Sequence, residues 1–302
     1  MPFRRSFDCL WCGRPYSTRD QDALEGWAQL CPDCVGRADE NPFIRFRLHA
    51  ALHERATGAP PTEVRRETNA ATEGPPTEGS EMVAYYEARA AEYDDWYLRR
   101  GRYERGPVHD VAWAAELDEA GRWLDALPIG GQIVELAAGT GWWSPLLAVK
   151  GELSLYDAAS APLELARERL LAHRLRAHLH IRDAWAEPDR QVDALFCGFW
   201  LSHVPRSRLA SFFELARHWL RPGGLFAFID SRFDPQSSAV DHAPQADQET
   251  MHRRLDDGRE FTIPKVYYQP AELEAGLLAA GFANVTVATT ARFFLLGEAR
   301  AG

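Results

Sequence analysis

The sequence predicts an α/β fold built around a parallel sheet, and one segment carries most of that prediction. Residues 133–134 and 153–156 are short apolar runs bounded by glycine or turn residues, as in buried parallel strands. Residues 142–150 between them are predicted to form a helix. Because a glycine turn follows the first strand and Asp157 follows the second, the segment resembles a βαβ unit that binds a nucleotide.

The turn after the first strand has a backbone that a ligand can approach closely. It reads Ala-Ala-Gly-Thr-Gly at residues 137–141, and side chains of zero or one carbon leave N–H groups accessible. Asp157, 22 residues after Glu135, lies where a carboxylate accepts hydrogen bonds from ribose hydroxyls. The turn lacks the third glycine of a dinucleotide site and the Gly-Lys-Ser/Thr of a phosphate loop. A glycine turn alone also occurs where it serves packing only.

Three later segments continue the alternation of strands and helices. Residues 178–181 predict a short strand, followed by Asp183-Ala184-Trp185. Residues 192–198 predict a fourth strand, which leads into Phe199 and the segment up to Pro205. Residues 220–230 predict a helix end, a Pro-Gly-Gly turn and a fifth strand.

Together these segments resemble the class I S-adenosylmethionine-dependent methyltransferases. The Glu-x-Ala-x-Gly-x-Gly pattern at 135–141 and the later Asp157 are similar to that family's motifs I and II, and the other segments follow in its order over roughly residues 81–298. The resemblance implies a Rossmann-like fold with a seven-stranded, mostly parallel sheet and helices on both faces. It implies methyl transfer from S-adenosylmethionine, and it points to the small-molecule, ubiquinone- and menaquinone-type branch.

The resemblance also implies which residues hold the cofactor. Asp157 would accept the ribose hydroxyls, Asp183 and Trp185 would flank adenine, and the glycine turn would serve the methionine half. An aromatic helix at 85–97 resembles the cap helix of small-molecule members. In that helix Tyr85 and Tyr93 are predicted to face the cofactor, and Tyr86, Trp96 and Tyr97 to pack against the sheet. The predicted cofactor residues are Tyr85, Tyr93, Glu135, Ala137, Gly139, Gly141, Asp157, Asp183, Trp185 and Phe199.

The remaining elements flank this unit. A second helix is predicted at about 112–127, a strand at 259–268, a helix at 271–280, and a terminal hairpin from 282–289 and 292–297. The polar stretch 231–257 is too long for a simple connection, and such insertions often form a substrate lid.

Candidate catalytic and substrate residues lie at the predicted carboxyl edge of the sheet. His203 follows the fourth strand and is predicted to act as base or to orient the acceptor, although a histidine there can also be a capping residue. Asp230, Arg232, Asp241 and His242 are predicted to contact substrate, on or near the lid.

Four of the five cysteines predict a zinc module at the N-terminus. Cys9 and Cys12 form one pair and Cys31 and Cys34 another, with 18 residues between them, a spacing typical of four-thiolate zinc sites. Four thiolates leave no open position, so the zinc would be structural. We therefore predict a zinc-ribbon-like module at 1–54, a flexible linker rich in proline at 55–80, and the methyltransferase domain at 81–302.

Composition narrows the partners. The net charge is −10, which argues against a broad nucleic-acid surface. No apolar run is long enough to span a bilayer, and the N-terminus carries no export signal, so a cytoplasmic location without membrane contact is expected. The expected partner is a small-molecule methyl acceptor, and a protein partner for the zinc module is left open.

Two other functions fit parts of the sequence. An RNA methyltransferase could use the zinc module for substrate recognition, but the Asn/Asp-Pro-Pro-Tyr/Phe motif that holds a flipped base is absent, because residues 198–201 read Gly-Phe-Trp-Leu. A zinc-ribbon adaptor with a degenerate methyltransferase domain is a non-enzymatic alternative. The intact Glu135, Gly139, Gly141 and Asp157 argue against it.

Overall fold

The structure is a computed structural model that describes residues 5–8, 15–18, 80–244 and 246–302. The chain divides into two compact units, residues 1–68 with 172–174, and residues 69–171 with 175–302. In the first unit, β1 (Arg5–Asp8) pairs antiparallel with β2 (Pro15–Thr18). The four cysteines of the predicted zinc module and linker residues 55–79 lie outside the described residues.

The second unit contains seven helices and nine strands within the described residues. Its helices are α1 (Ser80–Arg89), α2 (Tyr93–Leu98), α3 (Pro107–Ala126), α4 (Ser144–Ala148), α5 (Ser160–Ala172), α6 (Leu209–Trp219) and α7 (Pro270–Ala279). Its strands are β3 (Gly131–Leu136), β4 (Gly151–Asp157), β5 (His178–Ile181), β6 (Val192–Gly198), β7 (Leu220–Ser231), β8 (Thr250–Arg254), β9 (Glu260–Pro264), β10 (Phe282–Thr289) and β11 (Phe294–Ala301).

Seven of these strands form one sheet in the order β10-β11-β7-β6-β3-β4-β5. Neighbours from β7 to β5 pair in parallel, whereas β11 is antiparallel to both β7 and β10. The inner strands are buried nearly throughout, as β6 with the apolar residues Ala194 to Cys197 shows. This confirms the predicted Rossmann-like fold with a seven-stranded, mostly parallel sheet.

The order of the strands indicates where in the sheet a ligand can bind. The chain runs from β3 outward to β4 and β5, then returns to the other side of β3 to form β6 and β7. At such a switch point the loops after neighbouring strands diverge and leave a crevice at their carboxyl ends. The predicted turn 137–141, Asp157 and Phe199 directly follow or end β3, β4 and β6, and so reach this crevice.

Several element boundaries differ from the sequence prediction, among them those of α4 and β7. The helix predicted at 142–150 covers only Ser144–Ala148, where Pro145 occupies the first turn. β7 begins at Leu220 rather than after the Pro-Gly-Gly turn, because Leu220 already pairs with Val192. The pairing resumes at Leu225 with Ala194, so residues 221–224 bulge out of the ladder.

The aromatic helix covers the crevice as two helices, α1 and α2, joined by a short 3₁₀ turn at Ala90–Glu92. α1 packs on the separate hairpin of β8 and β9, where Tyr85 forms a small core with Leu255 and Ile263. The predicted strand at 259–268 is therefore β9, and part of the predicted lid is its partner β8. α1, α2 and this hairpin form what we call the roof.

None of the helices in the described ranges is both long and apolar enough to cross a membrane.

Candidate functional site

A cavity lies at the switch point and encloses, with its open mouth, about 580 Å³ of space between protein atoms. Its walls come from the ends of β3, β4 and β6 and from the roof helices. The lining residues are Met82, Val83, Tyr86, Tyr93, Ala137, Gly139, Asp157, Ala158, Ala159, Pro162, Asp183, Ala184, Gly198, Phe199, Trp200 and His203. We call it the first cavity.

The Asp157 carboxylate is fixed at the floor of the first cavity. One oxygen accepts the N–H of Gly139 at 2.8 Å and the other accepts the N–H of Ala159 at 2.8 Å. Each carboxylate oxygen has a second lone pair, so both can still accept a ligand hydroxyl. Burial raises the pKa of Asp157 to about 6, although the two backbone hydrogen bonds oppose that rise.

The backbone around the first cavity is strained where it faces the cavity. Ala137 and Phe199 have φ values of 50° and 59°, a left-handed conformation that is uncommon for residues with a side chain. Gly139, with a φ of 54°, adopts it without cost, and a Cβ atom there would approach the Tyr93 hydroxyl at 3.4 Å. The turn is thus held in a shape that presents its backbone to the cavity.

A network of charged groups fastens α2 to this turn. Asp94 accepts a hydrogen bond from the Thr140 hydroxyl at 2.7 Å and forms an ion pair with Arg169 at 2.5 Å. Arg169 also donates to the Thr140 carbonyl at 2.9 Å. The cap helix, the turn and α5 are therefore joined by buried, charge-assisted bonds.

Two predicted cofactor residues, Glu135 and Gly141, hold the elements around the first cavity without lining it. Glu135 is buried and accepts a hydrogen bond from the Ser144 hydroxyl at 2.6 Å, and burial raises its pKa to about 8. At Gly141 a Cβ atom would lie 2.7 Å from Ala166, so this glycine permits close packing of α5. Neither residue belongs to the lining.

Two predicted aromatic contacts also lie outside the lining. Trp185 packs edge-on against Phe212, at 5.5 Å between ring centres, while Asp183 and Ala184 line the first cavity. Tyr85 is fully buried in the roof, whereas Tyr86 lines the cavity. The expectation that Tyr86 packs against the sheet was wrong, because the face of α1 that carries Tyr85 packs on the β8–β9 hairpin and Tyr86 is left facing the cavity.

A second cavity of about 460 Å³ adjoins the first and is polar in character. It lies between the roof, β6 and the segment that follows β7. Its lining residues are Tyr86, Arg89, Tyr93, Trp96, Phe199, His203, Ser231, Ser237, Ser238, Arg253, Lys265 and Tyr267. Trp96, expected to pack against the sheet, is part of this wall, and Tyr97 is buried and stacks on Trp142.

The two cavities share four wall residues, Tyr86, Tyr93, Phe199 and His203. At this junction His203 Nδ1 lies 2.6 Å from the Pro264 carbonyl, and its Nε2 lies 2.7 Å from the Tyr86 hydroxyl. Because a carbonyl only accepts, Nδ1 must donate, and a neutral ring then accepts the Tyr86 proton at Nε2. Burial, with the Lys265 charge, holds the pKa of His203 well below its ordinary value, which keeps the ring neutral.

The four predicted substrate residues support the walls and are not among the lining residues. Asp230 accepts the N–H groups of Ser202 and Ser231, and Arg232 donates to the carbonyls of Thr290 and Ala291. Asp241 pairs with Arg102 near the surface. His242 accepts a hydrogen bond from Arg253 at 3.1 Å, and burial lowers the pKa of His242 to about 3.

Sequence reasoning did not select the polar residues of the second cavity. Three basic residues of this cavity lie at the end of α1 (Arg89), on β8 (Arg253) and after β9 (Lys265). The sequence pattern of polar and apolar residues in these elements gives no sign of a function. One signal was present at Lys265, because it is one of only two lysines in a chain with 34 basic residues. Within the described residues, no group of three or more His, Cys, Asp or Glu side chains is arranged to hold a metal ion.

Comparison with known proteins identifies the family to which this chain belongs. A family model described as a methyltransferase domain matches residues 133–224. The DhpI-SAH complex is 30% identical with a TM-score of 0.59, covering 74% of this chain and 97% of that one. The DhpI-SAM-HEP complex is 32% identical with a TM-score of 0.58 and the same coverage. The PH0226 protein from Pyrococcus horikoshii OT3, at 16% identity and a TM-score of 0.52, shares the fold over 69% of this chain and 98% of that one.

No curated protein sequence matches the chain. The match to DhpI nevertheless spans nearly all of that protein's length, and the methyltransferase-domain match covers β3, β4 and β6, whose ends form part of the first cavity. The chain is an S-adenosylmethionine-dependent methyltransferase and belongs to the class I family of these enzymes.

Proposed function

We propose that this enzyme binds S-adenosylmethionine in the first cavity and methylates a small molecule held in the second. The observation that carries the proposal is the shared wall. The first cavity, which has the Asp157 carboxylate in its wall, meets the polar second cavity at Tyr86, Tyr93, Phe199 and His203. In-line methyl transfer needs donor and acceptor to be aligned across such a junction, with water excluded.

The residues present suit the cofactor. Asp157 would accept ribose hydroxyls, Asp183 would lie near adenine, and the backbone of Gly139 would approach the methionine half. Ala137, Tyr93 and Phe199 would form the walls, with Glu135, Gly141, Trp185 and Tyr85 as supports behind them. When bound, the cofactor supplies a methyl group on a cationic sulfonium.

A small acceptor fits the second cavity better than a polymer does. The cavity lies beneath the roof, where side chains of α1, α2 and β8 cover it. The net charge of −10 also disfavours an RNA partner. DhpI is recorded with SAM and HEP together, a ternary complex in a relative that aligns over nearly its full length. Membership of the ubiquinone- and menaquinone-type branch remains a prediction from sequence.

His203 and Tyr86 are the groups that could orient the acceptor at the junction. The neutral His203 Nε2 accepts a hydrogen bond from the Tyr86 hydroxyl and so fixes the direction of that hydroxyl at the junction. Of the predicted substrate residues, Asp230 and His242 are proposed to act indirectly. Asp230 orients the loop at Ser202 and His242 orients Arg253. Arg232 and Asp241 would stabilise the segment after β7.

We also propose a structural zinc at Cys9, Cys12, Cys31 and Cys34. The support is the donor set and its spacing, since four thiolates suit tetrahedral zinc and a short unit gains stability from metal. Reduced thiols of this kind fit the cytoplasmic location expected from the sequence. A protein partner for this module is a further hypothesis.

The acceptor class is tested by methyl transfer from radiolabelled cofactor to a cell extract. We expect label in the small-molecule fraction, because the second cavity is small and roofed. The control is Asp157→Asn, which should lower the label in every fraction alike when the cofactor is below saturation. Label found only in RNA, and lost after ribonuclease treatment, would overturn the assignment of the acceptor.

Cofactor affinity should fall in acid because of Asp157. Its charged form accepts ribose hydroxyls, and its pKa lies at about 6. The affinity for S-adenosylhomocysteine should therefore be constant in pH above that value. Below it, the affinity should fall about tenfold per pH unit, as the carboxylate is protonated. The measurement is calorimetry between pH 4.5 and 8.

Asp157→Asn is the matched variant, since it keeps the shape of the side chain without a titrating charge. It should bind about tenfold or more weakly at neutral pH, the cost of a charge-assisted hydrogen bond, and show no inflection near pH 6. An unchanged inflection in this variant would assign the titration to another group and remove Asp157 from the ribose contact.

His203→Ala should lower kcat by about 10²-fold if the ring orients the acceptor through Tyr86, while the affinity for S-adenosylhomocysteine changes little. Tyr86→Phe removes the hydroxyl that donates a hydrogen bond to His203, and it should also lower kcat. Single-turnover transfer and a melting curve measure both effects once an acceptor is known. Normal turnover with a lower Tm in His203→Ala would show that His203 only supports the loop.

Metal analysis of the full chain should find about one zinc per chain. Cys31→Ser should lower that content, because three thiolates hold the ion more weakly than four. Asp33→Ser, a change between the two cysteines of the same pair, is the control and should retain the metal. A full chain purified without chelator that contains no zinc would contradict the proposal.

A further inference from the structure

We propose that the second cavity binds an acceptor carrying an oxyanion group, a carboxylate or a tetrahedral phosphoryl or phosphonyl group. Arg89, Arg253 and Lys265 are its charged ligands. The inference rests on the proposed function, because it names the chemistry of the acceptor that the second cavity would hold.

The second cavity has an excess of buried positive charge. Arg89 ends α1, Arg253 lies on β8 and Lys265 follows β9, so three elements bring their cations to the second cavity. Their relative exposures are only 6%, 8% and 7%. Within the described ranges, none of the three has a carboxylate oxygen within ion-pair distance, although the buried Asp230 acts on Lys265 from behind Ser202 and Ser231. Buried charges are normally paired, and one carboxylate leaves this group of three cations with a net positive charge.

Both guanidinium groups are held by neutral partners and keep an unused donor. Arg89 donates from one terminal nitrogen to the Tyr103 hydroxyl at 3.3 Å and lies over the ring of Tyr93, at 4.7 Å from its centre. Arg253 donates to the neutral His242 at 3.1 Å. In both arginines Nε is buried and has no acceptor within the described part of the chain. Arginine presents donors in a planar fork that matches carboxylate and phosphate oxygens.

Lys265 is also held by neutral groups. Its Nζ donates to the hydroxyls of Ser202 and Ser231, at 2.8 and 3.2 Å. Burial lowers the pKa of Lys265 to about 8, Asp230 opposes the shift, and the charges of Arg253 and Arg89 lower it further. The cations thus act on one another across the cavity. A bound anion would relieve this repulsion, because it attracts all three.

The position of the cations gives the acceptor an orientation. The second cavity meets the first at Tyr86 and His203, and its other walls carry Arg253, Lys265 and the serines at 231, 237 and 238. An oxyanion bound there would anchor one part of a small acceptor while another part reaches the junction. Anchoring at a distance from the reacting atom fixes the geometry that in-line transfer needs.

The test is anion binding to the full chain saturated with S-adenosylhomocysteine. Sodium phosphate and sodium acetate are titrated at constant ionic strength, with sodium chloride as reference, and the thermal midpoint and calorimetric Kd are recorded. We expect phosphate, acetate or both to raise the midpoint above the chloride value, and the responding anion tells a tetrahedral site from a carboxylate site. Arg253→Met should weaken that binding at least tenfold and, without anion, leave the midpoint unchanged or higher.

Arg254→Met is the matched control, since Arg254 is the next residue on β8 and its side chain is exposed on the opposite face. It should bind the anion as the unmodified chain does. Lys265→Met provides a second variant with the same expectation as Arg253→Met, should that one fail to fold.

Equal midpoints in phosphate, acetate and chloride would overturn the inference. A second result would also overturn it: Arg253→Met loses S-adenosylhomocysteine binding, and no anion binds to the unmodified chain. The cations would then hold the cofactor's own carboxylate. Failure of the proposed function is a separate result. In that case the chain would not bind S-adenosylhomocysteine, while the anion titration could still be read on the chain alone.

Discussion

The shape of the backbone between Ala137 and Gly141 is the constraint on which the site depends. This turn can present its N–H groups only in a conformation that costs energy at Ala137. Asp157 holds it from β4 through the Gly139 N–H, and Asp94 and Arg169 hold Thr140 from α2 and α5. The same bonds therefore set the floor of the first cavity and the position of the helix that covers it.

The two cavities have opposite electrostatic character. The first has the carboxylates of Asp157 and Asp183 on its walls, and the second has Arg89, Arg253 and Lys265. A cationic donor and an anionic acceptor would each meet the complementary sign, with the tyrosines between them. Such an arrangement also discourages either ligand from entering the wrong cavity, because like charges would then be buried together.

Much of the fold could be predicted because its signals are local. β5 and β6 have the bounds that the apolar runs at 178–181 and 192–198 indicate, and the glycine turn lies where the motif places it. Gly141 and Glu135 belong to the same motif but support it through packing against Ala166 and bonding to Ser144. A sequence motif does not separate residues that line a cavity from those that hold the lining in place.

The residues of the second cavity could not be predicted because tertiary packing alone brings them together. Tyr85 and Tyr86 are adjacent, and the packing of α1 on the β8–β9 hairpin decides which one faces the cavity. Arg253 and Lys265 reach the same cavity through the β8–β9 hairpin, which the sequence showed only as a polar stretch and one strand. His242 was predicted to contact substrate, yet its partner Arg253 is the residue that lines the cavity.

The reversed strand β11 has a consequence for the order in which the enzyme can assemble. It lies inside the sheet, between β7 and β10, and pairs Leu225 with Arg300 across 74 intervening residues. Until residues 294–301 have been made and have paired, the edges of β7 and β10 stay open and β10 is not part of the sheet. Closure of so distant a pairing is slow compared with local steps, so the newly made enzyme exposes unpaired strand edges until β11 has docked. A chaperone would protect it most effectively at that stage.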